Sequence, residues 1–301
     1  MTIVTPAAAP KVQTPLRRFL AEFVGNPVAV FGLILLVLVV SAALFAPWVA
    51  PQDPYDLSKL DIMSGMLPPG GADLDGNIFW LGSDEQGRDI LSAILYGLRT
   101  SLLVGFSSTA IALAIGLVVG MVAAYAGGTI DAAIMRLVDI QLSFPAILIA
   151  LILLAVLGKG VDKVIVALTA VQWAYYARTV RSAALVERRK EYVEAAQCLA
   201  LPKSRVVMRH LLPNCLPPLI VVATVQVAHA ITLEATLSFL GVGVPVTQPS
   251  LGMLIASGFG FMLSGEFWLS VFPGLALLIT IVSINLVGDQ MRDVLNPRLQ
   301  H

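Results

Sequence analysis

The chain has 301 residues, of which 57% are hydrophobic and 13% are charged, and its mean hydropathy is +0.86. Soluble domains carry about 25% charged residues, so this composition is typical of a polytopic membrane protein. The formal net charge is zero, which argues against a nucleic-acid-binding protein. The two cysteines, Cys198 and Cys215, form no CxxC motif, and we expect two free thiols rather than a metal site.

The first 26 residues are polar and contain proline. A signal peptide would have a shorter apolar region placed earlier, so the apolar run from Pro27 indicates a retained span. Before it, apolar residues recur at helical spacing, which predicts a short helix lying in the membrane interface. The alternative is a solvated tail with scattered apolar residues. The apolar positions are Phe19, Leu20, Phe23 and Val24.

Runs without charge locate the candidate transmembrane helices, since a spanning helix needs about 20 mostly apolar residues. The fourth candidate must extend past Arg178 toward Arg181, whose long side chains can reach the interface. Gly241–Gly265 is rich in Gly and Pro, and we predict an external loop or a short interfacial helix there. The fold class is an all-α polytopic membrane protein with six transmembrane helices, at 27–48, 101–124, about 136–158, about 164–181, 210–233 and 267–288.

Six spans place both chain ends on one side of the membrane, and the Lys and Arg distribution indicates which side. With cytoplasmic termini, the inner segments hold fourteen of the 19 basic residues and the outer segments hold five. The predicted organisation is a cytoplasmic tail with the interfacial helix (1–26), the first span (27–48), an extracytoplasmic loop with eight acidic residues (49–99), a five-helix core (100–290) containing a cytoplasmic loop (182–212), and a second cytoplasmic tail (291–301).

The cytoplasmic loop 182–212 is the most informative segment, because it is long, basic and helical in pattern. Glu191 and Glu194 lie near the start of a predicted helix, where carboxylates favour the positive end of the helix dipole. Ala195 and Ala196 form a small-residue patch, which lets a partner surface approach closely. The loop is therefore a candidate docking surface.

A second short helix is predicted to begin after Pro202. Arg205 and Arg209 share a face of it, and Pro213 marks the entry into the fifth span. The alternative interpretation of the whole segment is an ordinary basic loop that only sets the topology.

Glu194-Ala195-Ala196, followed after three residues by Ala200 and after nine more by His210-Leu211-Leu212-Pro213, resembles the EAA loop of ABC importer permeases. That family has Gly where Ala200 stands and often Ile at His210. The glycine helps the turn between two short helices, so we expect Ala200 to turn in another way. Leu81–Ser92 is similar to the "LGTDxLGRDxLSR" segment of the peptide/nickel subfamily. The match runs in order over about 26–298, with further motifs at Asn26–Pro51, Arg136–Asp139, Ser143–Pro145, Leu237–Gly243 and Gly288–Pro297.

The resemblance implies a type I ABC importer permease in a bacterial inner membrane. Two homologous permease subunits form the pathway, two ABC ATPase subunits bind ATP-Mg, and an extracytoplasmic binding protein delivers a dipeptide, an oligopeptide or a related small substrate. The EAA loop folds as a coupling helix that sits in a cleft of one ATPase. The implied ATPase-coupling residues are Glu191, Glu194, Ala195, Ala196, Ala200, Arg205 and Arg209.

Polar residues inside the predicted spans are functional candidates, because they are costly in a bilayer. Gln226 and His229 share a face of the fifth span, and they either line a translocation path or make a helix–helix hydrogen bond. Glu234, near the outer end of that span, either anchors the chain or faces the path. Asp139 lies three residues after Arg136, and the two are predicted to pair near the inner interface, with a role in a gate as the alternative.

Two further motifs predict structure rather than chemistry. Gly116-x-x-x-Gly120 indicates a close-packing helix face. Arg88, flanked by Asp84 and Asp89, predicts local salt bridges within the outer loop.

The sequence has no P-loop, no H-E-x-x-H and no G-x-S-x-G motif. We therefore interpret the chain as a non-catalytic subunit without a cofactor of its own, and ATP chemistry would belong to partner subunits. One alternative is an ATP-independent secondary transporter or channel, which is typically built from internal repeats with charged residues near the midplane. The other is an intramembrane enzyme, against which the missing nucleophile and metal motifs argue.

Overall fold

The computed structural model describes residues 15–56, 60–245 and 247–295. The ends of the two predicted tails lie outside these residues, as do Lys11, Lys59 and Arg298 of the charge count. The helices are α1 (Pro15–Val24), α2 (Pro27–Leu44), α3 (Ala46–Val49), α4 (Ile90–Ala126), α5 (Gly128–Ser143), α6 (Ala146–Leu157), α7 (Val161–Glu187), α8 (Glu191–Cys198), α9 (Lys203–Arg205), α10 (Leu212–Phe239), α11 (Leu251–Phe259) and α12 (Trp268–Leu295).

Within the described residues, four helices are long and apolar enough to cross a membrane, namely α2, α4, α12 and the continuous helix Lys203–Phe239 that contains α9 and α10. The bent pair α5 and α6 would make a fifth span. The remaining predicted span, the fourth at about 164–181, is α7, which falls outside these criteria, although its 27 residues reach about 40 Å at 1.5 Å per residue. The count of six therefore stays a prediction.

Helix α4 begins at Ile90 rather than near residue 101, so the predicted outer loop ends about ten residues early. Asp89 sets this start, because its Oδ2 accepts a hydrogen bond from the Ser92 backbone N–H at 2.7 Å. Such a side-chain cap satisfies an N–H group that the first helical turn leaves without a partner.

The predicted third span is two helices bent by 90°, so a single continuous helix at about 136–158 is wrong. The break lies at Phe144, whose backbone is extended (φ −94°, ψ 143°) because the next residue is Pro145. The proline ring disfavours helical geometry in the residue before it, and α6 then starts at Ala146.

The α4–α7 pair is the most extensive helix contact, and it confirms the predicted close-packing face. A Cβ atom at Gly116 would lie 2.6 Å from the Trp173 carbonyl oxygen, and one at Gly120 would lie 2.8 Å from Val180 Cβ. Since neither distance leaves room for a side chain, glycine is what allows the two backbones to approach.

The Gly- and Pro-rich stretch after α10 contains a short helix, as predicted, and this helix, α11, packs against the bundle. Its Leu251, Met253 and Leu254 are buried against α4, α10 and α12. A Cβ atom at Gly258 would lie 2.6 Å from Leu269 Cβ, so glycine again permits the close approach.

The described residues between α3 and α4 (50–56 and 60–89), called the cap here, fold on the α4 N-terminus. The cap contains a 3₁₀ turn (Ile62–Ser64) and a hairpin of β1 (Gly71–Ala72) and β2 (Ile78–Phe79), with Gly71 opposite Phe79. Arg88 is buried and pairs with Asp84 at 2.6 Å, which confirms one of the predicted salt bridges, whereas Asp89 serves as the α4 cap.

The predicted N-terminal helix is present as α1, and it meets the end of α12. Asn26 Nδ2 donates to Gln290 Oε1 at 2.7 Å. The two ends of the described chain therefore lie together. Because Arg292 of α12 and Lys190 beside α8 line one cleft, that end of the bundle is also the α8 end.

The α4–α7 contact generates a matched pair of predictions. Gly120→Ala should lower the stability by about 1–3 kcal/mol, because the added methyl group overpacks the interface. Gly274→Ala, within α12 and with no atom within 4 Å of its added Cβ, should leave stability unchanged or slightly raised. Thermal unfolding of the purified variants checks both, and equal melting temperatures for the two would contradict the packing argument.

Candidate functional site

Helix α8 is the predicted first helix of the 182–212 loop. Lys190 precedes it in an extended conformation without a side-chain cap, and the carboxylates of Glu191 and Glu194 occupy its first turn. Negative charge at this position offsets the positive end of the helix dipole. The local sequence thus stabilises a helix of eight residues, only two of which are buried.

One face of α8 is buried against the bundle. Val193 and Ala196 are buried in the cluster that contains Tyr176, Leu211 and Leu219. The prediction that Ala196 meets a partner surface is therefore corrected, because Ala196 packs inside its own chain. Three-residue spacing along a helix explains why these two positions share a face.

The opposite face of α8 is exposed to solvent. It carries Glu191, Glu194, Ala195 and Cys198, all exposed. The small Ala195 lies between acidic side chains, so this face offers a close approach and negative charge together. Leu199, at the end of the helix, adds an apolar side chain that is 74% exposed.

Ala200 turns the chain in the left-handed conformation, with φ +52°. The expectation that it turns in another way than glycine is wrong, since this is the conformation that glycine adopts readily and other residues avoid. Its backbone N–H donates to the Gln197 carbonyl at 2.9 Å, and Leu201 N–H donates to Ala196 O at 3.3 Å. These bonds close the C-terminus of α8.

Tyr192 joins α8 to two long helices. Its hydroxyl donates to Glu187 at the end of α7 and accepts a hydrogen bond from Asn214 Nδ2 of α10 at 3.1 Å. Lys190 Nζ lies 2.8 Å from the second Glu187 oxygen. Burial and the hydrogen bond to Glu187 raise the pKa of Tyr192 to about 12, so the donating hydroxyl form persists at any physiological pH.

Arg205 and Arg209 are both exposed on the stretch that follows α8. Arg205 ends α9, but Arg209 lies in a π-helical segment, Val206–Leu211. The hydrogen bond from Leu212 N–H to Val207 O spans five residues, so α-helical spacing does not apply there and the predicted shared face is not a regular one.

A cleft of about 860 Å³ opens between α7, α10 and α12. Both Gln226 and His229 line it, together with Asn214 nearer the α8 end. Asn214 and His229 are fifteen positions apart, which corresponds to about 22 Å of helix. At the α8 end the cleft is bordered by Glu187 and Lys190, so it connects the α8 joint with the interior of the bundle.

Gln226 is held in place by its backbone rather than by its side chain. Gln172 of α7 donates from Nε2 to the Gln226 carbonyl at 3.3 Å and accepts from Thr109 of α4 at 3.3 Å. This helix–helix hydrogen bond uses the Gln226 backbone and not the side chains that the sequence singled out, and the Gln226 side chain lies beside the cleft.

Glu234 lies away from the cleft and is fully buried. Its carboxylate accepts hydrogen bonds from Ser101 of α4 and Ser238 of α10, each at 2.8 Å, and from Ser250 at the start of α11. This geometry favours the anchoring interpretation, because one carboxylate ties three helices together.

Asp139 pairs with Arg178 of α7 instead of Arg136 of its own helix, so that predicted pair is corrected. Nearby, Arg181 binds both oxygens of Asp131 at 2.5 and 2.6 Å. Both arginines of the predicted fourth span thus connect α7 to α5.

Four residues of the site were not predicted. Glu187, Tyr192 and Asn214 form the joint between α8 and the long helices, and Leu199 is exposed beside it. Their separation of up to 27 positions in the chain leaves no spacing signal. Only the isolated aromatic ring in a polar segment marks Tyr192 in the sequence.

Comparisons with known proteins define the class. The family described as the inner membrane component of binding-protein-dependent transport systems matches residues 116–301, and the N-terminal transmembrane domain of oligopeptide transport permease C matches residues 14–69. The chain belongs to this family of ABC importer permeases.

Among curated relatives, the di/tripeptide transport system permease protein DppC of Pseudomonas aeruginosa is 38% identical, covering 98% of this chain and 97% of the relative. The dipeptide transport system permease protein DppC of Escherichia coli K12 is 39% identical, covering 97% and 96%. The probable D,D-dipeptide permease DdpC of the same strain is 36% identical, covering 98% and 96%.

Among solved structures, an inward-facing MetNI methionine ABC transporter matches with a TM-score of 0.56 at 21% identity, covering 68% of this chain and 96% of that one. This likeness shows the fold, that of a type I ABC importer permease.

The strained turn at Ala200 is directly testable. Ala200→Gly should stabilise the protein by about 0.5–1 kcal/mol, because it removes roughly 1–2 kcal/mol of left-handed strain and adds somewhat less backbone entropy cost. Ala195→Gly, on the exposed face of the same helix, should cost up to about 1 kcal/mol. Thermal unfolding in detergent measures both, and a destabilised Ala200→Gly variant would contradict the assigned conformation.

Proposed function

We propose that this chain is one of two transmembrane permease subunits of an ATP-driven importer, and that the exposed face of α8 docks on a separate ATPase subunit. The observation that carries the proposal is the construction of α8: one face is fixed to its own bundle, whereas Glu194 and Ala195 remain free for a partner. ATP-Mg would bind to the ATPase subunits.

The hydrogen bonds of Tyr192 provide a route by which movement of α8 reaches the long helices. A displacement of α8 acts at once on the end of α7 through Glu187 and on the start of α10 through Asn214. Since α7 and α10 form two walls of the cleft, closure of the ATPases would reshape the cleft as a rigid-body change.

The cleft would be this subunit's half of the translocation path. It is bordered by polar groups at both ends, with Gln226 and His229 inside the bundle and Glu187 near α8. A second homologous permease would close its open side, and the two chains would then enclose the path. Glu234 is not assigned to the path, because it is buried among three serine hydroxyls.

The proposed substrate class is dipeptides or related small molecules, supported by the names of relatives that match nearly the full chain. The proposed orientation in a bacterial plasma membrane places α8 and both chain ends in the cytoplasm, supported by the fourteen-to-five distribution of the 19 basic residues. The cap then faces the extracytoplasmic binding protein.

The docking role predicts a specific uncoupling phenotype. Glu194→Lys or Ala195→Trp should abolish ATP-driven uptake without unfolding the protein, because both residues lie on the exposed face of α8. Loss of a central contact costs about 2 kcal/mol or more, roughly a 30-fold loss in affinity for the ATPase. The measurements are uptake into proteoliposomes and substrate-stimulated ATP hydrolysis by the reconstituted complex.

Asp162→Lys is the matched control, since it reverses an exposed charge at the opposite end of α7. It should retain coupling. Full uptake and full substrate-stimulated ATP hydrolysis in both α8 variants would contradict the docking role. Uptake that persists in wild-type protein without ATPase subunits would favour the ATP-independent transporter instead.

A further inference from the structure

The cap contains a polar cavity that the transport pathway does not use. Its volume is about 280 Å³, and it lies where the β1–β2 hairpin and the 3₁₀ turn meet the start of α4. Four carboxylates line it, and the described residues that line it include no basic side chain. They are Asp61, Asp73, Asp75 and Asp89.

Asp89 is the residue that points to a ligand. The residue is 3% exposed, and its Oδ2 accepts hydrogen bonds from the Ser92 N–H and hydroxyl at 2.7 and 2.6 Å. The other oxygen, Oδ1, is buried with no hydrogen-bond partner. A carboxylate oxygen buried without a partner is unusual in a folded protein, and a bound cation would satisfy it.

The other acidic residues are fixed in place around Asp89. Asp61 accepts hydrogen bonds from the Met63 N–H and the Ser64 hydroxyl, both at 3.0 Å. Asp73 accepts from the side chain of Asn77 at 2.8 Å and from the Asn77 backbone N–H at 2.7 Å. Asp75 is exposed at the rim.

The spacing of these groups decides the form of the ligand. Within the described chain, no three acidic, His or Cys side chains converge closely enough to hold a bare metal ion. Divalent cations, Mg²⁺ above all, often keep several water molecules and bind through one or two carboxylates. The cavity has room for such a hydrated ion, since one water occupies about 30 Å³ of liquid volume.

We propose that the cap binds a hydrated divalent cation, Ca²⁺ or Mg²⁺, with Asp89 as its buried ligand and Asp61, Asp73 and Asp75 as the surrounding charge. The ion bridges the 3₁₀ turn, the hairpin and the N-terminus of α4. It thereby holds the cap against the long helix that contributes Ser101 to the Glu234 anchor and Gly116 and Gly120 to the α7 contact.

The test is isothermal titration of the purified full-length chain in nanodiscs with CaCl₂ or MgCl₂, at constant ionic strength set by KCl. Wild-type protein should bind one ion with a dissociation constant of roughly 0.1–1 mM, the range of extracellular calcium modules. The ion that binds more tightly is assigned as the ligand. The melting temperature should rise with ion concentration, with half of the rise near the measured dissociation constant.

Asp89→Asn is the decisive variant, because asparagine caps a helix as well as aspartate does but lacks the charge. It should weaken binding by about tenfold or more, since cation affinity follows ligand charge. Asp162→Asn, outside the cavity, is the matched control and should bind as wild type.

Absence of saturable binding to wild-type protein up to about 10 mM, well above that range, overturns the proposal. Unchanged affinity in Asp89→Asn does so as well. If Asp89→Asn fails to fold, the exposed Asp75→Asn variant is tested instead, and the proposal requires its affinity for the ion to be lower than that of the wild type. These readouts involve neither ATPases nor transport, so they are independent of the proposed function.

Discussion

The attachment of α8 to its own bundle is the constraint on which the rest of the structure depends. Val193 and Ala196 bury one face, and Tyr192 bonds to both Glu187 and Asn214. An eight-residue helix is marginal alone in water. The packing and the joint therefore give α8 its position, and they make its displacement a displacement of α7 and α10.

The helices to which α8 is attached are held together by close backbone contacts and by buried hydrogen bonds. Glycines at positions 116 and 120 bring α4 against α7, and Gln172 links both to α10. At the far end, Glu234 joins α4, α10 and α11 through three serine hydroxyls. A bundle tied at both ends transmits motion as a body, which is what a gating mechanism driven from one surface requires.

Local patterns predicted much of this architecture. Charge-free runs located the helices, the glycine spacing predicted the α4–α7 face, and the EAA-like motif located α8. The failures have physical causes. Pro145 bends a span that hydrophobicity alone makes continuous, and Ala200 accepts a strained turn that glycine would make easily. Partners distant in the chain, such as Arg178 with Asp139, have no spacing signal.

The two native cysteines offer the most direct test of the docking surface. Cys198 lies on the exposed face of α8 and Cys215 is buried, so a maleimide should label only the former. The account predicts rapid labelling of Cys198 in the isolated permease and, once the ATPase subunits are bound, protection of at least about tenfold, as burial in a well-packed interface excludes solvent. An unchanged labelling rate in the assembled complex would contradict the assignment of α8 as the docking surface.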